Sequence, residues 1–222
     1  MECLKTHFDK ALEQHIRGKT GEYSYYADYY EKIIDFKSFP PGSTVFDLGA
    51  GDCKITEELS LRYPNLEFIG VDFSDSLLSG KKKIKTINMD LRVPDSNLLK
   101  KNSSNNVIAL SFSVIQYLSE NEYYRLMKAI FPICKEVFHM SIPDDRKIMR
   151  YYRDSKTFLW RLKAIYSKIS GKYGIDGSKW HSAKRLSKLS KNAGYNVSVN
   201  ISDENKFRFD IYCVRQGMRG KG

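Results

Sequence analysis

Short apolar runs alternate along the chain with segments of helical length, and the two kinds of segment keep different periods. The runs at 44–48, 67–71, 85–88, 106–112 and 136–142 are rich in β-branched and aromatic residues and predict strands. Between them, 54–63, 75–83 and 120–131 repeat their apolar positions at helical spacing. Val107-Ile108-Ala109-Leu110 is apolar on both faces, as a parallel strand covered by helices above and below requires. Two later runs, 195–201 and 207–214, are joined by the polar stretch 202–206 and predict an antiparallel pair. The expected fold class is α/β: a doubly wound, mostly parallel seven-stranded sheet with an antiparallel last strand and a helical insertion.

Residues 9–37 are mainly helical in pattern and carry Tyr23, Tyr25, Tyr26, Tyr29 and Tyr30, a cluster expected to pack mostly against the core. Pro40, Pro41 and Gly42 then break the chain. After the fifth strand, 143–193 is too long for a plain crossover. It predicts an amphipathic helix over 147–170, a glycine-punctuated loop over 171–177, and a helix over 182–192 stopped by Gly194. One domain is expected, with a helical cap (1–39), a core (40–142), a helical lid (143–193) and a terminal strand pair with its tail (194–222).

Composition adds a location to this plan. The 222 residues are 41% hydrophobic and 28% charged, ordinary for a folded domain, but the net charge is +11. Residues 146–191 hold 14 basic side chains against Asp154 and Asp176, so the excess belongs almost wholly to the expected lid. Such charge suits an anionic partner. Cys3, Cys53, Cys134 and Cys213 are far apart and, with the histidines, show no metal-ligand spacing, so free thiols and no metal are expected. The polar start and the absence of an apolar run near about 18 residues predict a soluble, cytoplasmic protein with no transmembrane segment, monomeric or homodimeric.

The strongest local motif is Val45-Phe46-Asp47-Leu48-Gly49-Ala50-Gly51-Asp52-Cys53, where the first strand passes into a helix. Two glycines permit a tight turn and a close approach of ligand to backbone N–H groups. Asp72, at the end of the second strand, lies 21 residues after Gly51, suited to accept hydrogen bonds from ribose hydroxyls. A dinucleotide fingerprint would need a third small residue where Lys54 stands, and Asp47 and Asp52 are poor company for a diphosphate. They suit a cationic ligand.

Asp47-Leu48-Gly49-Ala50-Gly51 resembles motif I of the class I S-adenosylmethionine-dependent methyltransferases, and Val71-Asp72-Phe73-Ser74 resembles the acidic end of their second strand. Met89-Asp90-Leu91 resembles their adenine-contacting segment, and Ser111-Phe112-Ser113-Val114-Ile115-Gln116-Tyr117-Leu118 their motif after the fourth strand. Ala193-Gly194-Tyr195 resembles the start of their sixth strand. The resemblance implies a Rossmann-like sheet and S-adenosyl-L-methionine as cofactor. Gly49, Ala50 and Gly51 would approach its methionine part, and Asp47 would bind the amino end directly or through water. Asp72 would hold the ribose, Asp90 the adenine amino group, and Phe73 and Leu91 would flank the ring, with Ser111 nearby. Cys53 replaces the third glycine often seen in motif I.

The fourth-strand motif lacks the N/D-P-P-Y/F pattern of enzymes that methylate exocyclic base nitrogens, and it looks more like the small-molecule branch. The implied reaction is methyl transfer to O or N of an anionic small molecule, such as a phosphorylated metabolite, nucleotide-sugar, glycan or natural-product precursor. Tyr29, Arg146, Arg150, Arg153 and Trp180 are the candidate acceptor-binding residues. His181, as general base, with Tyr117 and Tyr26, are the candidate catalytic residues. Two alternatives stay open: an RNA methyltransferase, with nucleic acid as partner, and a non-catalytic S-adenosylmethionine-binding regulatory subunit.

Overall fold

The runs that read as strands do so because both of their faces are covered. In the computed structural model, which describes residues 22–79, 82–147, 178–202 and 206–217, they become β1 (Thr44–Leu48), β2 (Glu67–Asp72), β3 (Lys85–Asn88), β4 (Val107–Phe112) and β5 (Glu136–Pro143), all parallel. Every residue of β1 is buried, which explains its unbroken apolar character apart from Thr44 and Asp47. Strands β6 (Tyr195–Ile201) and β7 (Arg208–Arg215) complete a seven-stranded sheet in the order β3-β2-β1-β4-β5-β7-β6. Only β7 runs against its neighbours.

Helices α1 (Glu22–Ile33) and α2 (Lys54–Arg62) cover one face, where Tyr30, Phe36 and Leu59 meet Phe68, Ile108 and Met140. The short α3 (Asp75–Leu78) follows β2, α4 (Ser96–Lys101) and α5 (Glu120–Ile130) follow β3 and β4, and α6 (Ala183–Asn192) forms the end of the basic segment. Leu99, Tyr123, Leu126, Ile130 and Leu186 from the last three helices pack with Phe46 and Ile69 in the second core. The result is the three-layer, doubly wound arrangement that the alternation predicts. Among the described residues, no helix is long and apolar enough to cross a membrane.

Several bounds differ from the sequence reading for local reasons. The described part of the first helix ends at Ile33, and a 3-10 turn, Phe36–Ser38, follows, capped by Asp35. Helix α3 stops at Leu78 because the sequence beyond offers Gly80 and Lys81-Lys82-Lys83, with no apolar residue to hold another turn. Helix α4 buries only Leu99 and is nucleated by Asp95, whose carboxylate accepts the N–H groups of Asn97 and Leu98. One buried residue leaves no period to read. Helix α5 is held at its start by a capping box between Ser119 and Glu122. The expected helix over 147–170 and loop over 171–177 fall, from residue 148 on, outside the described residues.

Two contacts set the edges of the later site. Helix α1 is tied to α2 by Arg62, which reaches Asp28 at 2.6 Å and Glu31 at 2.8 Å. Near the end of β5, the register with β7 slips between His139 and Ile142, and Ser141 takes φ +61. This bulge is closed by side chains: Asp210 accepts the Ser141 N–H (2.7 Å) and the Tyr29 hydroxyl (3.1 Å), and Tyr29 also bonds Ser202 (2.8 Å).

The Cys53 departure also has a packing account. Cys53 has φ +62, a conformation that glycine adopts without strain. Its sulfur sits against Gly70 of β2, where an added Cβ would lie 2.6 Å from Sγ. The sulfur fills the space that Gly70 leaves, so the strained residue locks the turn onto the neighbouring strand.

Candidate functional site

A cavity of about 300 Å³ opens at the carboxyl ends of β1, β2, β3 and β4, the edge where doubly wound sheets bind ligands. Its floor is the turn from β1 into α2. Gly49 has φ +82, and a Cβ there would strike Val114 at 2.5 Å, so no other residue fits. The Gly49 N–H donates to the Val71 carbonyl (2.7 Å), binding the turn to β2. Gly51, at φ +56, has open space where a Cβ would be, and it lines the cavity.

Asp72, buried at the end of β2, joins this turn to the next one. Its Oδ2 accepts the Gly51 N–H and its Oδ1 the Ser74 N–H, both at 2.9 Å. Burial pushes the carboxyl above its ordinary range, and these backbone bonds work in the other direction. With a further backbone bond from Phe73, the carboxylate still has more acceptor positions than donors, so Asp72 suits a hydroxyl ligand.

Phe73, Leu77 and Leu91 add apolar wall, and Asp90 and Arg92 line it too. Arg92 grips Asp90 through Nε (2.9 and 3.0 Å) and Nη2 (2.7 Å), and its guanidinium lies 5.7 Å from the Phe73 ring centroid. Partial burial opposes the charge on Asp90, but the bonds from Arg92 outweigh it and hold the carboxyl below its ordinary range. Sequence reasoning missed Arg92. Its position two residues after an expected ligand was the available signal, because only a turn separates them. The far wall comes from the segment after β4: Phe112, Ser113, Val114, Gln116, Tyr117 and Leu118.

Of the nine residues that the resemblance assigns to the cofactor, Gly49, Gly51, Asp72, Phe73, Asp90 and Leu91 line this one cavity. The other three lie behind it. The Asp47 carboxylate accepts the Thr56 hydroxyl at 2.5 Å, and the Ala50 methyl faces Gly70. Ser111 Oγ pairs with His139 Nδ1 at 2.8 Å. Burial pushes Asp47 up to about 6, helped by nearby Asp72 and opposed by Thr56.

The candidate catalytic residues are dispersed. Tyr117 lines the cavity. Tyr26 packs edge-on to Phe112 at 5.2 Å, one ring away from it. His181 stands behind the wall: it is buried, its Nε2 faces the Ile115 carbonyl at 3.1 Å, and burial pushes its pKa down to about 4. A carbonyl partner makes Nε2 the protonated nitrogen of a neutral ring. The Lys179 N–H also donates to the Gln116 carbonyl (2.6 Å), so residues on both sides of Trp180 hold the 3-10 turn Ile115–Tyr117.

Of the candidate acceptor residues, Tyr29 is engaged at the β5 bulge and Trp180 does not line the cavity. Arg146 is bound to buried Asp144 (2.8 Å), its own side chain largely exposed. Arg150 and Arg153 lie outside the described residues. No group of side chains suited to a metal occurs among the described residues.

No protein-family model matches the sequence, and no curated protein matches it. Solved structures share the fold. Human N-acetylserotonin methyltransferase in complex with S-adenosylmethionine aligns over 85% of this chain and 51% of its own, with 15% identity and a TM-score of 0.55. Magnesium protoporphyrin IX methyltransferase from Synechocystis PCC 6803, with bound S-adenosylhomocysteine, covers 87% of this chain and 81% of its own (12% identity, TM-score 0.53). A pericyclic reaction enzyme covers 85% of this chain and 47% of its own (13% identity, TM-score 0.54). This chain thus spans about half the length of the first and third of these proteins. Such identities establish a common fold, which hosts more than one chemistry.

The buried Asp47 generates a test. A carboxyl whose pKa is higher folded (about 6) than unfolded (3.8) holds a proton more tightly in the folded state. Its cost is absent at low pH and grows as pH rises through 4 to 6, reaching about 3 kcal/mol. Asp47→Asn keeps an acceptor for Thr56 and removes the charge. Denaturant unfolding should show the variant gaining stability relative to wild type from pH 4 to pH 7. A difference independent of pH would contradict the assignment.

Proposed function

We propose that this chain is an S-adenosylmethionine-dependent methyltransferase acting on O or N of an anionic small molecule. The observation that carries the proposal is the placement of Asp72: a buried carboxylate with spare lone pairs, fixed between two turns at the edge of a cavity bounded by Phe73 and Leu91. A ribose diol fits the carboxylate, and an aromatic base fits the apolar walls. Gly51 leaves room for the amino-acid part, and among the described residues no diphosphate-compatible cation lies at this turn apart from lysines engaged with Asp52.

Bound there, the cofactor supplies an electrophilic methyl on a sulfonium, transferred by in-line displacement. The chain's own residues hold and shield it. Asp72 receives the ribose hydroxyls, and Asp90 receives the adenine amino group when Arg92 gives up part of its grip. Asp47, behind the turn, contributes negative potential toward a cationic ligand rather than direct contact. Gln116 and Tyr117 face the reacting side, and His181 is a positioning residue that secures their turn. Tyr26 shapes the same wall through Phe112.

A second reading, a cofactor-binding protein whose chemistry is not methyl transfer, is favoured by the pericyclic enzyme among the structures of this fold. Isothermal titration with S-adenosylmethionine, followed by an assay of S-adenosylhomocysteine release over a panel of oxyanion-bearing acceptors, separates the two. Binding with turnover is expected. Binding without turnover supports the second reading, and absence of binding removes both. Asp72→Asn loses a charged acceptor and should weaken binding about tenfold to a hundredfold.

The role given to His181 has its own test. His181→Gln, whose amide N–H reaches the place of Nε2, retains a donor for the Ile115 carbonyl and should keep activity within about tenfold of wild type, whereas His181→Ala should lose both activity and thermal stability. A loss of about a hundredfold or more in both variants, with stability kept, would instead make His181 the general base.

A further inference from the structure

The carboxyl ends of β4 and β5 and the start of β7 converge on Arg208. Its Nη1 lies 2.5 Å from the Ser141 carbonyl, 3.2 Å from Ser113 Oγ and 3.2 Å from Gln116 Oε1. All three acceptors are neutral oxygens. Arg62, Arg92, Arg146 and Arg185 each meet a carboxylate, but Arg208 meets none among the described residues. Because Nη1 makes all three bonds, the parallel donors Nε and Nη2 engage no described residue. That edge is the fork by which arginine takes a carboxylate or phosphate in two parallel bonds.

The surroundings single out the same side chain. Ser113 and Ser141, both bonded to Arg208, have φ +55 and +61, conformations that strain a residue with a Cβ. Two strained residues thus present oxygens to one guanidinium. Ser113 and Gln116 also line the cavity, so Arg208, which does not line it, is bonded to two residues of its wall. Along the sheet edge the order is Asp90 after β3, Asp72 at β2, the glycine turn after β1, Ser113 and Gln116 after β4, and Arg208 opposite Pro143 of β5. Asp90 and Asp72 stand at one end of this row and the half-buried Arg208 at the other, where the nearby carboxylates Asp144 and Asp210 are engaged by Arg146 and by Ser141 and Tyr29.

We infer that Arg208 receives an oxyanion, carboxylate or phosphate, of the methyl acceptor through its Nε and Nη2 donors. The inference rests on the methyltransferase reading for calling the ligand an acceptor, but the oxyanion site is a property of the fold by itself. It also moves anion recognition from the basic segment 146–191 to the end of the sheet, where the guanidinium is fixed by three bonds.

The test is a pair of titrations, with inorganic phosphate and with benzoate, on the full chain with and without saturating S-adenosylhomocysteine. At least one anion should bind wild type saturably, and the preferred one identifies the source chemistry. Arg208→Gln should weaken that binding about tenfold or more, with S-adenosylhomocysteine affinity within about threefold of wild type. Arg208→Lys, which keeps the charge but not the fork, should fall between them. Because Arg208 also braces the β5 bulge, a readout without substitution is included: the Arg208 Nε–H resonance should shift on anion addition. Binding unchanged in Arg208→Gln, as attachment to the basic segment would give, overturns the inference, as does an unmoved Nε–H resonance. If S-adenosylhomocysteine fails to bind while the anion effect persists, the methyltransferase reading falls and the oxyanion site stands.

Discussion

The site depends on one carboxylate that serves two turns at once. Asp72 accepts a backbone N–H from Gly51 in the turn after β1 and another from Ser74 in the turn after β2. Burying that group costs free energy, and the two backbone bonds offset part of it. They also fix both turns relative to each other, so the cavity floor and its apolar wall move as one unit. Gly49 beneath Val114 and Cys53 against Gly70 complete the constraint, since neither packing tolerates an extra atom.

Electrostatics then divide the cavity. Asp47, Asp72 and Asp90 stand toward β1, β2 and β3, and Arg208 stands at β7. On the proposed function, the first end complements a cationic ligand and Arg208 an anionic acceptor. The neutral wall between them, from Phe112 to Leu118, is held from behind by His181 and Lys179 through main-chain carbonyls. Burial keeps His181 neutral, and its Nε2–H braces the Ile115 carbonyl.

Much of this was legible in the sequence. Strand positions followed from apolar runs long enough to be buried on both faces, and the turn motif stood out because glycine at 49 and 51 has a geometric reason. Asp72 was legible through its distance from that motif, and Asp90, Phe73 and Leu91 only through the family resemblance. What escaped was carried by contacts distant in sequence. Arg208 meets Ser113 and Ser141 only after β7 inserts beside β5, and no spacing rule links them. Asp47 was expected to meet the ligand directly or through water, and no spacing rule foretold that its carboxylate also accepts the hydroxyl of Thr56, nine residues on in α2. Arg146 looked free for an anion until the fold set it against Asp144, and charge in a run says nothing about which partners lie nearby.

The most direct measurement is a crystal structure of the protein grown with S-adenosylhomocysteine. The account predicts the ribose hydroxyls on Asp72, the adenine between Phe73 and Leu91, and Arg92 displaced from part of its contact with Asp90. A ligand bound with its ribose away from Asp72, or an unchanged Arg92–Asp90 pair with the cavity unfilled, would contradict it.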